Sequence, residues 1–223
     1  AASDVYKRQS NDSSYPPGKP QESLDFAYFG GIYRDAYLIS TGPVYITDPN
    51  EAGTVAGGGI FFRTESLDPR TRKGKVGVKV QVANNTDKEQ KVRVQALMTD
   101  PKGVDPVGET APLVIPPHST GEVDIPLVIS NVRPWSPDNP NLYTLSVEVW
   151  KAAGGADAKN PAHLLDNRSM RVGVRTVEIT EKGLVLNGSL FPEKLIGGNR
   201  HQDFARLGNA VPNNLQWQDA EKL

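Results

Sequence analysis

The string Gly197-Gly-Asn-Arg-His-Gln-Asp203 carries the densest set of groups able to bind a polar ligand or move a proton in this 223-residue sequence. Asn199 and Arg200 supply donors, and His201 supplies a ring that titrates near neutrality. Such groups suit a hydroxyl-rich ligand, because each buried sugar hydroxyl needs partners for its proton and its lone pairs. The string follows a short apolar pair, Leu195-Ile196. If that pair ends the first strand of a (β/α) barrel, the residues just past its carboxyl end face the barrel mouth, where such folds keep their active sites. The same residues also describe a solvated surface loop. One strand does not make a barrel, so residue types alone favour the loop.

Other candidates are weaker. Glu178, Glu181 and Glu193 are carboxylates of the kind that work in pairs in glycoside hydrolysis, which needs two carboxyls at a set separation. They flank hairpin strands and turns and read as solvated. His118 and His163 sit in Pro-rich and polar loops with no second His at ligand spacing, and read as surface residues. Gly57-Gly-Gly59 lacks the Lys-Ser/Thr of a phosphate loop. Four triplets, starting at Asn11, Asn84, Asn167 and Asn187, match the N-glycosylation pattern, which is common by chance. Trp135, held between Pro134 and Pro137, offers a face on which a sugar could stack; a Trp so placed before a strand is more often a plug at the edge of a sandwich. No nucleophile–base pair, metal cluster or complete acid/base set is present in the sequence.

Composition narrows the function classes. Lys and Arg number 25 against 26 Asp and Glu, so the net charge of −1 lacks the cationic excess of a non-specific nucleic-acid binder. Zero cysteine excludes disulfide scaffolds, thiolate metal sites and a Cys nucleophile, and fits the periplasm and the cytoplasm equally. No apolar run approaches the roughly 18 residues of a membrane span. Gly at 21 and Pro at 18 suit short strands joined by turns.

The elements that must position these residues fall into successive pieces. Residues 1–9 have no hydrophobic period and resemble translated adapter sequence, so they are set apart from the fold. Residues 10–50 open on Tyr15-Pro-Pro-Gly-Lys-Pro20 and read as the last strands of a β-domain whose beginning is absent. Residues 51–177 alternate with a period of two, most strongly in Lys75-Val-Gly-Val-Lys-Val-Gln-Val82 and Lys91-Val-Arg-Val-Gln-Ala-Leu97. With further candidates at 59–64, 113–115, 121–129, 143–150 and 168–179, they predict about seven strands in an immunoglobulin-like sandwich. Residues 178–223 change character. An Asn187-Gly188 hairpin, a glycine-rich loop and a helix opening near Leu215 make the start of an α/β repeat, and the sequence stops inside that helix as a fragment would.

Three strings in order carry a resemblance. Asp25-Phe-Ala-Tyr-Phe-Gly-Gly-Ile-Tyr-Arg-Asp-Ala-Tyr-Leu-Ile39 resembles the end of the N-terminal jelly-roll domain of glycoside hydrolase family 2. Arg133-Pro-Trp-Ser-Pro-Asp-Asn-Pro-Asn-Leu-Tyr-Thr-Leu145 resembles that family's signature before a late strand of its immunoglobulin-like domain. Val172-Gly-Val-Arg-Thr-Val-Glu-Ile179, Leu186-Asn-Gly188 and Gly198-Asn-Arg-His-Gln-Asp203 resemble its passage into a catalytic TIM barrel. The resemblance implies an all-β chain: an immunoglobulin-like β-sandwich flanked by the last strands of a sugar-binding-type jelly-roll domain and by the first βα unit of a truncated barrel.

It also implies a retaining hydrolase in which one Glu protonates the glycosidic oxygen and another attacks the anomeric carbon. Both glutamates are expected beyond Leu223, so the chain alone is expected to be inactive. Asn-Arg-His is more like the β-galactosidases, with a β-galactoside as substrate, than the β-glucuronidases; β-glucuronidase, β-mannosidase and a non-catalytic carbohydrate-binding or adhesion module are the alternatives. By the resemblance His201 matches the barrel histidine that contacts the sugar, Asn199 and Arg200 match pocket-shaping positions, and Asp12 matches a loop reaching the sugar from the jelly roll. Ser189 departs from the Lys that often follows Asn-Gly in the family. The Mg²⁺ and Na⁺ sites of some members use barrel residues that this sequence lacks, no cofactor is expected within it, and a homo-oligomer is left open.

Overall fold

A computed structural model describes residues 36–103, 106–152, 160–192, 197–198 and 211–222. The chain divides into two compact units, one spanning Ser40–Glu193 and the other holding the described residues 36–39, 197–198 and 211–222.

The larger unit is the all-β sandwich. Its strands are β1 (Val44–Ile46), β2 (Ile60–Asp68), β3 (Lys73–Asn84), β4 (Gln90–Thr99), β5 (Val107–Ile115), β6 (Ser119–Ile129), β7 (Tyr143–Lys151) and β8 (Leu164–Val172). Three more, β9 (Val177–Thr180), β10 (Gly183–Leu186) and β11 (Ser189–Leu190), form a separate small sheet. In the first large sheet β3 is central: β6 pairs along one whole edge, while β2 and then β1 share the other. The second sheet runs β5-β4-β7-β8, antiparallel throughout.

The alternation read from the sequence becomes the core. Val76, Val78, Val80 and Val82 of β3, Val92 and Val94 of β4, and Leu145, Val147 and Val149 of β7 are fully buried in one cluster with Ile125 and Leu127 of β6. Side chains at every second position share one face of a pleated strand, so valine at that spacing commits a whole face to the interior.

The structure departs from the expected strands in identifiable places. β5 starts at Val107, although Gly108 and Pro112 break the pattern that marked only 113–115. β5 pairs with β4 alone and β6 with β3 alone, so Pro112 and Pro126 both lie on edge strands, where a missing N–H is tolerated. The run expected over 168–179 is two strands, because Gly173-Val-Arg-Thr176 leaves the sheet. The Trp135 N–H donates to Val174 O at 2.9 Å, and a Cβ on Gly173 would lie 3.1 Å from the Trp135 side chain. Val174 is itself fully buried. Asp48 caps a single-turn helix α1 (Pro49–Ala52), with Asp48 Oδ1 accepting from Asn50 N at 2.8 Å.

The sandwich unit reaches further in both directions than the stretch 51–177. Ile46 is 1% exposed, and β1 pairs with the end of β3, so β1 contributes to this core. In the other unit the expected helix is present as α2 (Asn213–Ala220), with Gln216 Nε2 donating to Val211 O at 3.2 Å and Trp217 exposed.

Candidate functional site

The residues singled out for sugar contact, Asp12, Asn199, Arg200 and His201, lie outside the described residues, as does Glu193. Their neighbours Gly197 and Gly198 are described and exposed, with nothing within 4 Å of where a Cβ would stand on either.

The weaker candidates resolve into surface and scaffold. Glu178 and Glu181 are exposed on β9 and in the turn that follows it. His118 is exposed, with its Nε2 2.8 Å from an equally exposed Asp87 Oδ1. Asn84 is wholly buried: its Nδ2 donates to the carbonyls of Lys88, Ile115 and Pro116, and its Oδ1 accepts from Thr86 N and Oγ1. A side chain so enclosed cannot carry a glycan, so its triplet is a core feature. Among the described residues no three His, Asp or Glu side chains converge on a point where they could hold a metal ion. No helix among the described residues is long and apolar enough to cross a membrane.

Trp135 is the plug that its proline-rich setting suggests. Its ring lies under the Arg175 guanidinium at 4.6 Å from carbon to ring centre, and Gly173 packs against it. Pro140 bridges back to Trp135, and Asn141 Nδ2 donates to Pro134 O at 3.1 Å, so the loop is closed on itself. A ring engaged in this way is no free platform for a sugar.

Among the surface hollows of the described residues, one of about 470 Å³ lies on the β9–β11 hairpin, lined by Thr180, Glu181, Lys182, Val185 and Leu190, and two lie on the sandwich. One, of about 380 Å³, lies on the outer face of the first sheet and is lined by Tyr45, Gln81, Ala83, Glu51, His118 and Thr120 among others. Its inner polar groups are engaged with one another: Thr47 Oγ1 donates to Gln81 Oε1 at 2.7 Å and accepts from Gly59 N, and Gln81 Nε2 donates to Glu122 at 3.0 Å. The Ser119 and Thr54 hydroxyls donate to backbone carbonyls. These pairs order the loop over 48–59 and leave few donors for a ligand. The other hollow, about 400 Å³, lies between the edge strands β2 and β8 and is lined by Ile60, Phe61, Phe62, Met170 and Arg175. Its lining mixes apolar side chains with Thr64 and Arg175 and includes no carboxylate or histidine, so it holds no acid/base pair.

Tyr143 was missed as a polar anchor. It is 2% exposed at the start of β7, and its Oη accepts from Arg133 N at 2.9 Å. Burial pushes its phenol above the usual value, and the nearby Asp100 carboxylate adds to this. The signal for it is a Tyr opening an alternating strand just after a proline-rich loop. Its role is to hold that loop, not to react.

The sequence profile of the family described as Glycosyl hydrolases family 2 matches residues 58–175, just over half of the chain. A β-galactosidase of Thermoanaerobacter pseudethanolicus is 27% identical over 203 residues, which cover 90% of this chain and 23% of that enzyme. A β-glucuronidase of Bacteroides fragilis is 30% identical over 84% of this chain and 24% of its own. The chain thus spans about a quarter of these relatives. A Bacteroides uniformis β-glucuronidase structure superposes with a TM-score of 0.70 at 22% identity, covering 89% of this chain and 22% of that one, a likeness of fold.

Proposed function

The chain belongs to family 2 of the glycosyl hydrolases, and from that premise we propose that it is part of a retaining glycosidase that removes terminal β-galactosides. The observation that carries this reading is the string Gly198-Asn-Arg-His-Gln-Asp203, which follows the family-matched stretch 58–175 and the hairpin after it. In this reading the sandwich is the scaffold, and residues 178–223 begin the catalytic barrel. The residues that precede the sandwich unit end a jelly-roll domain from which Asp12 reaches the sugar. His201 contacts the sugar and favours its transition state, while Asn199 and Arg200 shape the pocket around its hydroxyls. The acid and the nucleophile are glutamates of the longer polypeptide, which also supplies any Mg²⁺ or Na⁺ site.

A second reading, β-glucuronidase, is favoured by the 30% identity to the Bacteroides fragilis enzyme. The two sugars differ at C6, where a glucuronide carries a carboxylate that needs a cationic partner. The test is to express the longer polypeptide and compare hydrolysis of p-nitrophenyl β-galactoside and β-glucuronide. The galactoside is expected to turn over with the higher kcat/KM, and His201→Ala is expected to cost about 10²-fold or more through lost transition-state contact. Preference for the glucuronide would overturn the galactosidase reading, and an unaffected His201→Ala would remove His201 from the site.

A further inference from the structure

The three-stranded sheet β9-β10-β11 fully buries none of its residues and contributes none to the core cluster; Leu184, Val185 and Leu186 of β10 are half-buried. A three-stranded sheet with so little packed apolar surface is marginal in water. Polar bonds must add to that partial burial to hold it in one place.

Asn187 is the first residue of the two-residue turn between β10 and β11, and both turn residues are left-handed, at φ 52° and 79°. That much is ordinary hairpin chemistry, which Asn-Gly suits. Its side chain goes further. Asn187 Oδ1 accepts from Thr176 N at 3.1 Å, while Asn187 N donates to Thr176 O at 2.9 Å, so one residue satisfies both backbone groups of Thr176. Asn187 Nδ2 donates to Trp135 O at 3.0 Å. Trp135 in turn grips Val174 O through its own N–H and lies under Arg175. The proline-rich loop, the 173–176 link and the hairpin therefore meet at two residues.

We propose that the Asn187 side chain is an interlock that couples the hairpin sheet to the sandwich, so that the sheet opens and closes as a unit while the sandwich core stays folded. All of its bonds are polar and half-buried, so breaking them exposes little apolar surface. Local openings of that kind have their own free energy, below that of global unfolding. The hairpin is therefore held by geometry at one side chain and can be released there.

Hydrogen exchange on the full 223-residue chain tests this. Asn187→Gly keeps the left-handed turn and deletes both side-chain bonds. Amides over 177–190 are expected to exchange about tenfold faster or more, from two lost hydrogen bonds, while those of β3, β4, β6 and β7 do not change. Asn187→Asp keeps the acceptor for Thr176 but sets a carboxylate oxygen against Trp135 O. It is expected to open the sheet at neutral pH and to restore protection once the carboxyl is protonated and can donate. Unchanged exchange over 177–190, equal acceleration in the sandwich strands, or no protection of 177–190 in the unaltered chain would each overturn the proposal.

Discussion

At the scale of single residues, buried polar side chains decide more than charged pairs do. Asn84 serves three carbonyls and a hydroxyl at zero exposure. Asn84→Ala removes the donor from the buried Ile115 carbonyl and the half-buried Pro116 carbonyl, and a loss of about 2–4 kcal/mol is expected in urea unfolding. Tyr143 gives a pH signature. Its raised phenol pKa means that the folded state keeps its proton where the unfolded chain, near pH 10, has lost it. The unfolded state then binds fewer protons, so stability is full below pH 10 and falls as pH rises toward the folded value. Tyr143→Phe should lower stability at pH 7 by leaving the Arg133 N–H unmatched, and should flatten the alkaline slope in melts between pH 8 and 11. An unchanged slope would mean that another group sets it.

Among elements, the two sheets share a single contiguous core and their exposed edges carry the irregularities. Leu145 of β7 sits at zero exposure between them. Leu145→Ala should cost about 2–5 kcal/mol in denaturant unfolding, since the lost contacts and the residual cavity add together. The outer face of the first sheet offers the contrast. Arg63 bonds Asp124 at 3.0 Å and Glu65 at 3.2 Å, but all three side chains are well solvated. Pairs of that kind contribute little, because water already satisfies each partner and salt screens the attraction. A Leu145→Ala variant no less stable than the parent would contradict a shared core.

For the whole molecule, the sandwich and the second unit are separate compact bodies, and the chain matches about a quarter of its relatives. The proposed division of labour has a consequence at this scale. The purified 223-residue chain should leave p-nitrophenyl β-galactoside unhydrolysed under conditions in which the longer polypeptide turns it over. Measurable turnover by the chain alone would place a complete acid/nucleophile pair within it. A sandwich with one face in the core and one in solvent has little room for such a pair, which needs carboxyls held across a cavity.

What the order of residues determined by itself was the sandwich. Valine at every second position in β3, β4 and β7 commits one face to the interior whatever surrounds it, because the side-chain period of a strand is fixed. The Asn187-Gly188 turn was legible for the same local reason, since its backbone conformation selects those residues. Among the candidate sugar contacts, Asn199, Arg200 and His201 stand out by residue type and Asp12 through resemblance alone, and composition does not separate a polar loop from a pocket wall. Tertiary structure alone decided that β1 joins the sandwich, that Gly173 takes the chain out of its sheet, and that Asn187 reaches Trp135 across 52 positions of sequence. Those depend on which segments meet in space, and a contact between distant segments leaves no periodicity in either of them.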